Sequence, residues 1–214
     1  MKPPVLQRRE ALVLAGLLGA AGLTLAAVRH FQPLGQPLSR TPVVEAALAE
    51  PGPEAGNPEG DVPLIVFTDF NCGACRTAHA PMLEAVARDG MARLRFLDWP
   101  IFGDDSRAAA RAAIAADAQA HYLAVHSALM QGGRADGRAA EAALAAAGGN
   151  VDDLRATLAA SGARIDRALQ RNASHAFALG LGGTPGHLIG TTPIRGALSR
   201  REFSRAIEQA RSAG

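Results

Sequence analysis

The feature that most constrains this chain is its pair of cysteines, Cys72 and Cys75, the only two in 214 residues. They directly follow a short apolar run rich in β-branched residues. Residues 62–68 (Val-Pro-Leu-Ile-Val-Phe-Thr) suit a buried strand. Asp69-Phe70-Asn71 then turns the chain into a helix expected over 72–88, closed by Asp89-Gly90. Pro81 lies inside that helix and should kink it by removing one hydrogen bond. Residues 91–99 (MARLRFLDW) alternate apolar and basic side chains through Leu97, the mark of a second strand. The order is strand, cysteine-bearing helix, strand. The dithiol therefore sits at the carboxyl end of the first strand, where open α/β sheets place their active sites. Two cysteines this close are no disulfide scaffold. They supply only half of a zinc site, and no second pair or spaced histidines follow. The remaining reading is a redox dithiol. At a helix N-terminus the dipole and free N–H groups favour a thiolate on Cys72. Cys75, one turn later, can resolve a mixed disulfide.

Beyond the second strand, residues 104–179 are helical in pattern and Ala-rich, as the best helix former implies. Gly132-Gly133, Gly148-Gly149 and Ser161-Gly162 should break them into pieces, and Asn150 should cap one of these. We read the segment as a helical bundle inserted between two halves of a sheet. Residues 180–196 return to extended structure, with a hairpin turning at Gly190-Thr191. Ser199 should cap a last helix over 200–211, with Phe203, Ala206, Ile207 and Ala210 on one face. Thr184-Pro185 precedes the returning strand, where a missing ladder donor is tolerated. If that bond is cis, the backbone before it can pair with an extended substrate beside Cys72. Alone, Gly-Thr-Pro-Gly is equally a simple turn. His79, two turns along from Cys72, reads as a solvent-facing or packing residue. His121, His126, His175 and His187 show no ligand spacing with the cysteines. His187, close after Pro185, could border the site, but a packing role is the plainer reading.

Residues 11–28 are uncharged and mostly Ala, Leu, Gly and Val, preceded by Lys2, Arg8 and Arg9. As a helix they span about 27 Å, enough for a hydrocarbon core, and the basic flank puts everything after Val28 outside. No clean cleavage site follows, which favours an uncleaved anchor over a signal peptide. Arg8-Arg9 also touches the twin-arginine export pattern. Residues 31–60, with six prolines from Pro33 to Pro58, read as a linker with a short helix over 43–50. The net charge of +2, without a basic block interleaved with aromatics, excludes nucleic acid as the expected partner.

Taken together, several stretches resemble the DsbA-like thioredoxin family of exported disulfide oxidoreductases, from about Asn57 to the C-terminus. They are Asn57-Pro-Glu-Gly-Asp-Val, Phe70-Asn-Cys-Gly-Ala-Cys-Arg76, Pro100-Ile-Phe-Gly-Asp-Asp-Ser106 before an Ala-rich helix, Gly183-Thr-Pro185 and Gly196. The resemblance implies an α/β thioredoxin fold with an inserted helical domain, preceded here by the N-terminal hydrophobic helix. The expected organisation is 1–30 signal sequence or anchor, 31–60 linker, 61–103 and 176–214 thioredoxin domain, and 104–175 helical insertion. Cys72 would be the nucleophile, Cys75 the resolving thiol and Thr184-Pro185 the substrate-binding cis-proline loop, with no cofactor and no metal. Three departures stand out. Gly73-Ala74 replaces a dipeptide that carries a histidine in strongly oxidising relatives, so the disulfide should be a weaker oxidant. Val66 and Leu97 stand at the positions matched to a buried acid and its lysine partner, which leaves Asp69, Asp98 or a water to take the Cys75 proton. Gly186 and His187 follow the proline where relatives carry small or apolar residues.

The expected function is an exported protein-disulfide oxidoreductase that exchanges the Cys72–Cys75 disulfide with substrate thiols on the periplasmic side of a bacterial inner membrane. A DsbB-like membrane partner or a reducing donor would regenerate it. Two alternatives remain. The same site can run in the reducing direction as a reductase or isomerase. The dithiol can instead be a non-enzymatic copper(I)-binding module. A chaperone indifferent to Cys72 is a third reading.

Overall fold

The computed structural model describes residues 17, 19 and 34–213. Apart from Leu17 and Gly19, the apolar run at 11–28 and its basic flank lie outside the described residues, so the expected N-terminal helix does too. Among the described residues no helix is long and apolar enough to cross a membrane.

The chain enters through α1 (Pro42–Ala49), started by Thr41, whose hydroxyl accepts the Val44 N–H, and by a proline in the first turn. A five-stranded sheet follows from β1 (Glu54–Gly56), β2 (Val62–Thr68), β3 (Ala92–Asp98), β4 (Gly186–Ile189) and β5 (Thr192–Arg195), in the order β1-β3-β2-β4-β5. Only β2 and β3 run parallel, joined by α2 (Gly73–Asp89), which is the expected βαβ unit. Gly90, in the left-handed conformation (φ 72°), ends α2 and donates back to Val86.

β1 falls in the segment expected to be an irregular linker. Its prolines and glycines hide a three-residue edge strand, antiparallel to β3 with Glu54 opposite Arg95. Gly56 (φ 80°) passes so close to β3 that a Cβ would meet the Ala92 carbonyl at 2.6 Å, a contact only glycine allows.

Between β3 and β4 lie α3 (Asp104–Ala116), a 3₁₀ turn (Asp117–Gln119), α4 (Tyr122–Gln131), α5 (Gly137–Ala146) and α6 (Val151–Ala178). Asn150 caps α6 through the Asp152 and Asp153 N–H groups, as its sequence implies. Two expectations fail here. Ser161-Gly162 does not break α6, which runs unbroken through both residues. The Arg111 guanidinium of α3 lies over Gly162, 2.6 Å from where a Cβ would stand, and pairs with Asp166 one turn on at 2.5 Å. A break appears instead between Ala116 and His121, at Ala120 (φ 58°). A domain boundary at 175 therefore cuts α6, whose last turns pack on the sheet.

Both faces of β2 are covered, which is why its sequence is nearly continuous in apolar residues. Ile65 and Phe67 join Leu97, Trp99 and Leu188 in a core closed by Val44 and Ala47 of α1 and by Ala176 and Leu179 at the end of α6. Val66 and Thr68 face the other way, toward α2. The last helix, α7 (Arg200–Ala213), buries Phe203, Ala206 and Ile207. It opens with a capping box, in which Glu202 Oε2 accepts the Ser199 N–H at 2.7 Å and Ser199 Oγ accepts the Glu202 N–H at 3.4 Å.

Candidate active site

The turn from β2 into α2 is fixed by Asp69. Its Oδ1 accepts from the Asn71 N–H (2.7 Å) and the Ser106 hydroxyl (2.8 Å), and its Oδ2 from the Ile101 and Phe102 N–H groups (2.6 and 3.0 Å). One buried carboxylate thus ties the turn to the start of α3 and to a loop whose Ile101 and Phe102 side chains stay exposed. Asn71 exchanges two hydrogen bonds with the Ala135 backbone and donates a third to Ser106 Oγ, each 2.9 Å. Arg76 donates to the Phe70 carbonyl at 2.7 Å and reaches the Gly132 and Gly133 carbonyls. Neither Asn71 nor Arg76 had an assigned role in the sequence. Their function is visible only once the loop at 132–135 folds over the turn.

Cys72 caps α2. Its Sγ accepts the Cys75 N–H at 3.4 Å and lies 3.2 Å from the Thr184 carbonyl, to which its thiol donates. The Thr184–Pro185 peptide bond is cis. The two cysteines and the Thr184-Pro185 loop, 112 residues apart along the chain, therefore meet at one point. Both thiols are free and largely buried, with Cys72 4% and Cys75 3% exposed.

Burial pushes the Cys75 thiol up to about 12. Behind it lies a small cavity, about 10 Å³ for the centre of a water molecule, lined by Cys75, Val66, Thr68, Pro185 and three histidines. These are His79 from α2, His126 from α4 and His187 from β4, each at most 3% exposed. Burial holds all three imidazoles below their usual range, His187 at about 4. His79 was expected to face solvent or pack. It is buried beside Cys75 because it lies four residues along α2, on the stripe that continues through Ala78, Met82 and Val86. His187 does border the site, opposite Val66 and edge-on to Phe203 at 5.0 Å.

The two carboxylates considered for the Cys75 proton stand elsewhere. The Asp69 backbone touches Cys75, but its carboxylate is engaged by the four donors above. Asp98 accepts the Tyr122 hydroxyl at 2.9 Å, and burial raises it to about 7. Neither carboxylate lines the cavity. The match of Leu97 to a partner of Val66 also needs correction. Val66 is in register with Phe96, whereas Leu97 belongs to the core on the opposite face. Pleating alternates neighbours across the sheet, so a one-residue shift changes the face.

Among the described residues no three His, Cys, Asp or Glu side chains are arranged to hold a metal ion. Chemically, the arrangement offers one sulfur at a helix N-terminus and a second, deeply buried sulfur one turn on.

Comparison with known proteins agrees with the fold. The thioredoxin family model matches residues 49–209. A thioredoxin-like oxidoreductase from Silicibacter pomeroyi DSS-3 is 32% identical, with a TM-score of 0.74, covering 83% of this chain and 100% of its own. The thiol-disulfide exchange protein α-DsbA2 from Wolbachia pipientis shares the fold at 23% identity (TM-score 0.72, covering 77% and 90%). So does a periplasmic thioredoxin-like protein from Salmonella enterica serovar Typhimurium at 24% (0.67, covering 82% and 99%). No curated protein matches the chain.

Proposed function

The chain belongs to the thioredoxin family and is a thiol:disulfide oxidoreductase; from that premise we propose that it is an exported enzyme of the DsbA-like form whose Cys72–Cys75 disulfide is passed to substrate proteins. Cys72 is the nucleophile and Cys75 the resolving thiol. The observation that carries this reading is the Cys72 sulfur itself, at the N-cap of α2 with the Cys75 N–H and the Thr184 carbonyl on it. A thiolate at that position gains from the helix dipole and from an N–H donor. Thr184 and Pro185, which border Cys72, take the substrate strand. The exposed Ile101 and Phe102, pinned by Asp69, flank the same turn and give an unfolded substrate an apolar footing.

In the oxidising direction a substrate thiolate attacks Cys72 Sγ, the Cys72–Cys75 bond breaks, and Cys75 leaves with the electron pair and takes a proton. A second substrate thiolate then attacks the mixed disulfide at the substrate sulfur, and Cys72 leaves as thiolate. The substrate is oxidised and the dithiol reduced. A membrane partner of the DsbB type returns the disulfide. A second reading, in the reducing direction, has one specific observation behind it. Gly73 and Ala74, both exposed, place no cationic side chain beside Cys72. The apolar run at 11–28 behind Lys2, Arg8 and Arg9 supports export to the periplasmic side, as an anchor or a cleaved signal.

The test is the reduction potential of the full-length protein, equilibrated in glutathione buffers and read by thiol trapping. A value well above the glutathione couple is the expected result. A value near or below it reassigns the enzyme to reduction or isomerisation.

A further inference from the structure

We propose that His79 is the proton acceptor for Cys75, taking the thiol proton on Nδ1, directly or through one water in the shared cavity. This rests on the exchange reading of Cys72 and Cys75 and deepens it. Three observations carry it. His79 and Cys75 line the same small cavity, four residues apart on one face of α2. The cavity has room for about one water molecule. His79 Nε2 lies 3.2 Å from Ser127 Oγ on α4, while its buried Nδ1 has no partner among the described residues. With the proton on Nε2 and donated to Ser127, Nδ1 carries the lone pair a base needs. The same hydroxyl still accepts from Nε2–H once the ring is protonated.

The other two histidines of the cavity are less suited. Neither ring nitrogen of His126 has a hydrogen-bond partner among the described residues, so nothing there selects its tautomer, and His187 faces the Ile194 backbone across the β4–β5 pair rather than a side-chain hydroxyl. His126 is enclosed by Phe70, Phe96 and Tyr122, with ring centroids 4.6–5.4 Å away. The titratable groups facing His79 are Cys75 on its own helix, His126 from α4 and His187 from β4. The charged contacts between α2 and α7, Arg200 with Glu84 and Arg211 with Asp89, lie outside the cavity. A buried thiol held near 12 yields roughly one thiolate in 10⁵ at neutral pH, so a base at hand matters for resolution.

The step balances as follows. Cys72, in a mixed disulfide, is attacked by Cys75 Sγ. The Cys72–Cys75 bond forms, the bond from Cys72 to the outer sulfur breaks, and that sulfur departs as thiolate. The Cys75 proton passes to His79 Nδ1 as the new bond forms. Run in reverse, the imidazolium returns the proton to Cys75 as it leaves.

The experiment uses full-length reduced protein and dithionitrobenzoic acid as a chromogenic disulfide. The first aryl thiolate reports attack by Cys72, and the second reports resolution by Cys75, in one stopped-flow trace. His79→Gln should slow the second release by about 10²-fold at pH 7. It should also abolish the titration of that release in the mildly acidic range, leaving a rate proportional to hydroxide. Ser127→Ala should move both readouts the same way by a smaller factor, and carries the test if the first variant does not fold. Wild-type rates and profiles in both variants overturn the proposal, and so does a slower release whose pH profile is unchanged. Absence of the first release defeats the exchange reading itself, and the inference with it.

Discussion

Replacing Asp98 by asparagine should change how stability depends on pH, in a direction the structure fixes. Asp98 is 2% exposed at the end of β3, with the Tyr122 hydroxyl on Oδ1 and Oδ2 without a partner among the described residues. Burial raises it from 3.8 to about 7, against the opposing Tyr122 hydrogen bond. Between those values the folded chain keeps a proton that the unfolded chain has released. Stability from this group is therefore fully present below 3.8 and lost as pH rises through about 7. The full swing corresponds to about 4 kcal/mol. Asparagine is neutral throughout and can still accept from Tyr122. The stability of Asp98→Asn relative to wild type should thus grow by about 4 kcal/mol between pH 4 and 8. His187 works in the opposite sense. Its lowered value, about 4, means stability present above 6.5 and lost as pH falls, by about 3 kcal/mol in nearly the same window. The wild-type curve alone is therefore flattened, and the difference between variant and wild type is the quantity to measure. Urea titrations at several pH values give it, and thermal midpoints should separate by roughly 8–16 °C. A difference that stays constant across the range would refute the assignment of a buried, protonatable Asp98.

Three further outcomes follow from the same geometry. His187→Leu should remove that residue's share of the acid-side loss, about 3 kcal/mol between pH 6.5 and 4, and leave the shares of His79 and His126 in place, read by the same titrations. Asn71→Ala strands the Ala135 backbone groups in a buried position and should cost about 2–3 kcal/mol in urea unfolding, with the loop at 132–135 exchanging its amide protons faster. Ala74→His places a cation beside the thiolate end of α2 and should raise the reduction potential by on the order of 30 mV, measured against glutathione.

Much of the fold was legible because local signals and tertiary context agree. β2 spans the seven residues its apolar run implies, and Gly90 and Asn150 end and start helices as their chemistry requires. The misreadings have physical causes. Ser161-Gly162 looks like a breaker, but its lack of bulk admits Arg111. β1 is too short, and too rich in glycine and proline nearby, to show a period, and exists because β3 offers an edge. At the site, the cysteines and Thr184-Pro185 were legible from motif and order. The histidine cavity was not. His79, His126 and His187 come from a helix, an inserted helix and the returning strand, and no spacing in the sequence joins them. The role of Asp69 was hidden for the same reason, since its carboxylate engages backbone more than thirty residues away.

The most direct test of the central claim is the intact mass and alkylation state of the full-length protein after equilibration with oxidised glutathione. The account predicts loss of the mass of two hydrogens and protection of both Cys72 and Cys75, with Cys75→Ser instead trapping glutathione on Cys72 and Cys72→Ser trapping far less. A protein that keeps both thiols alkylatable at every ratio of oxidised to reduced glutathione would contradict it.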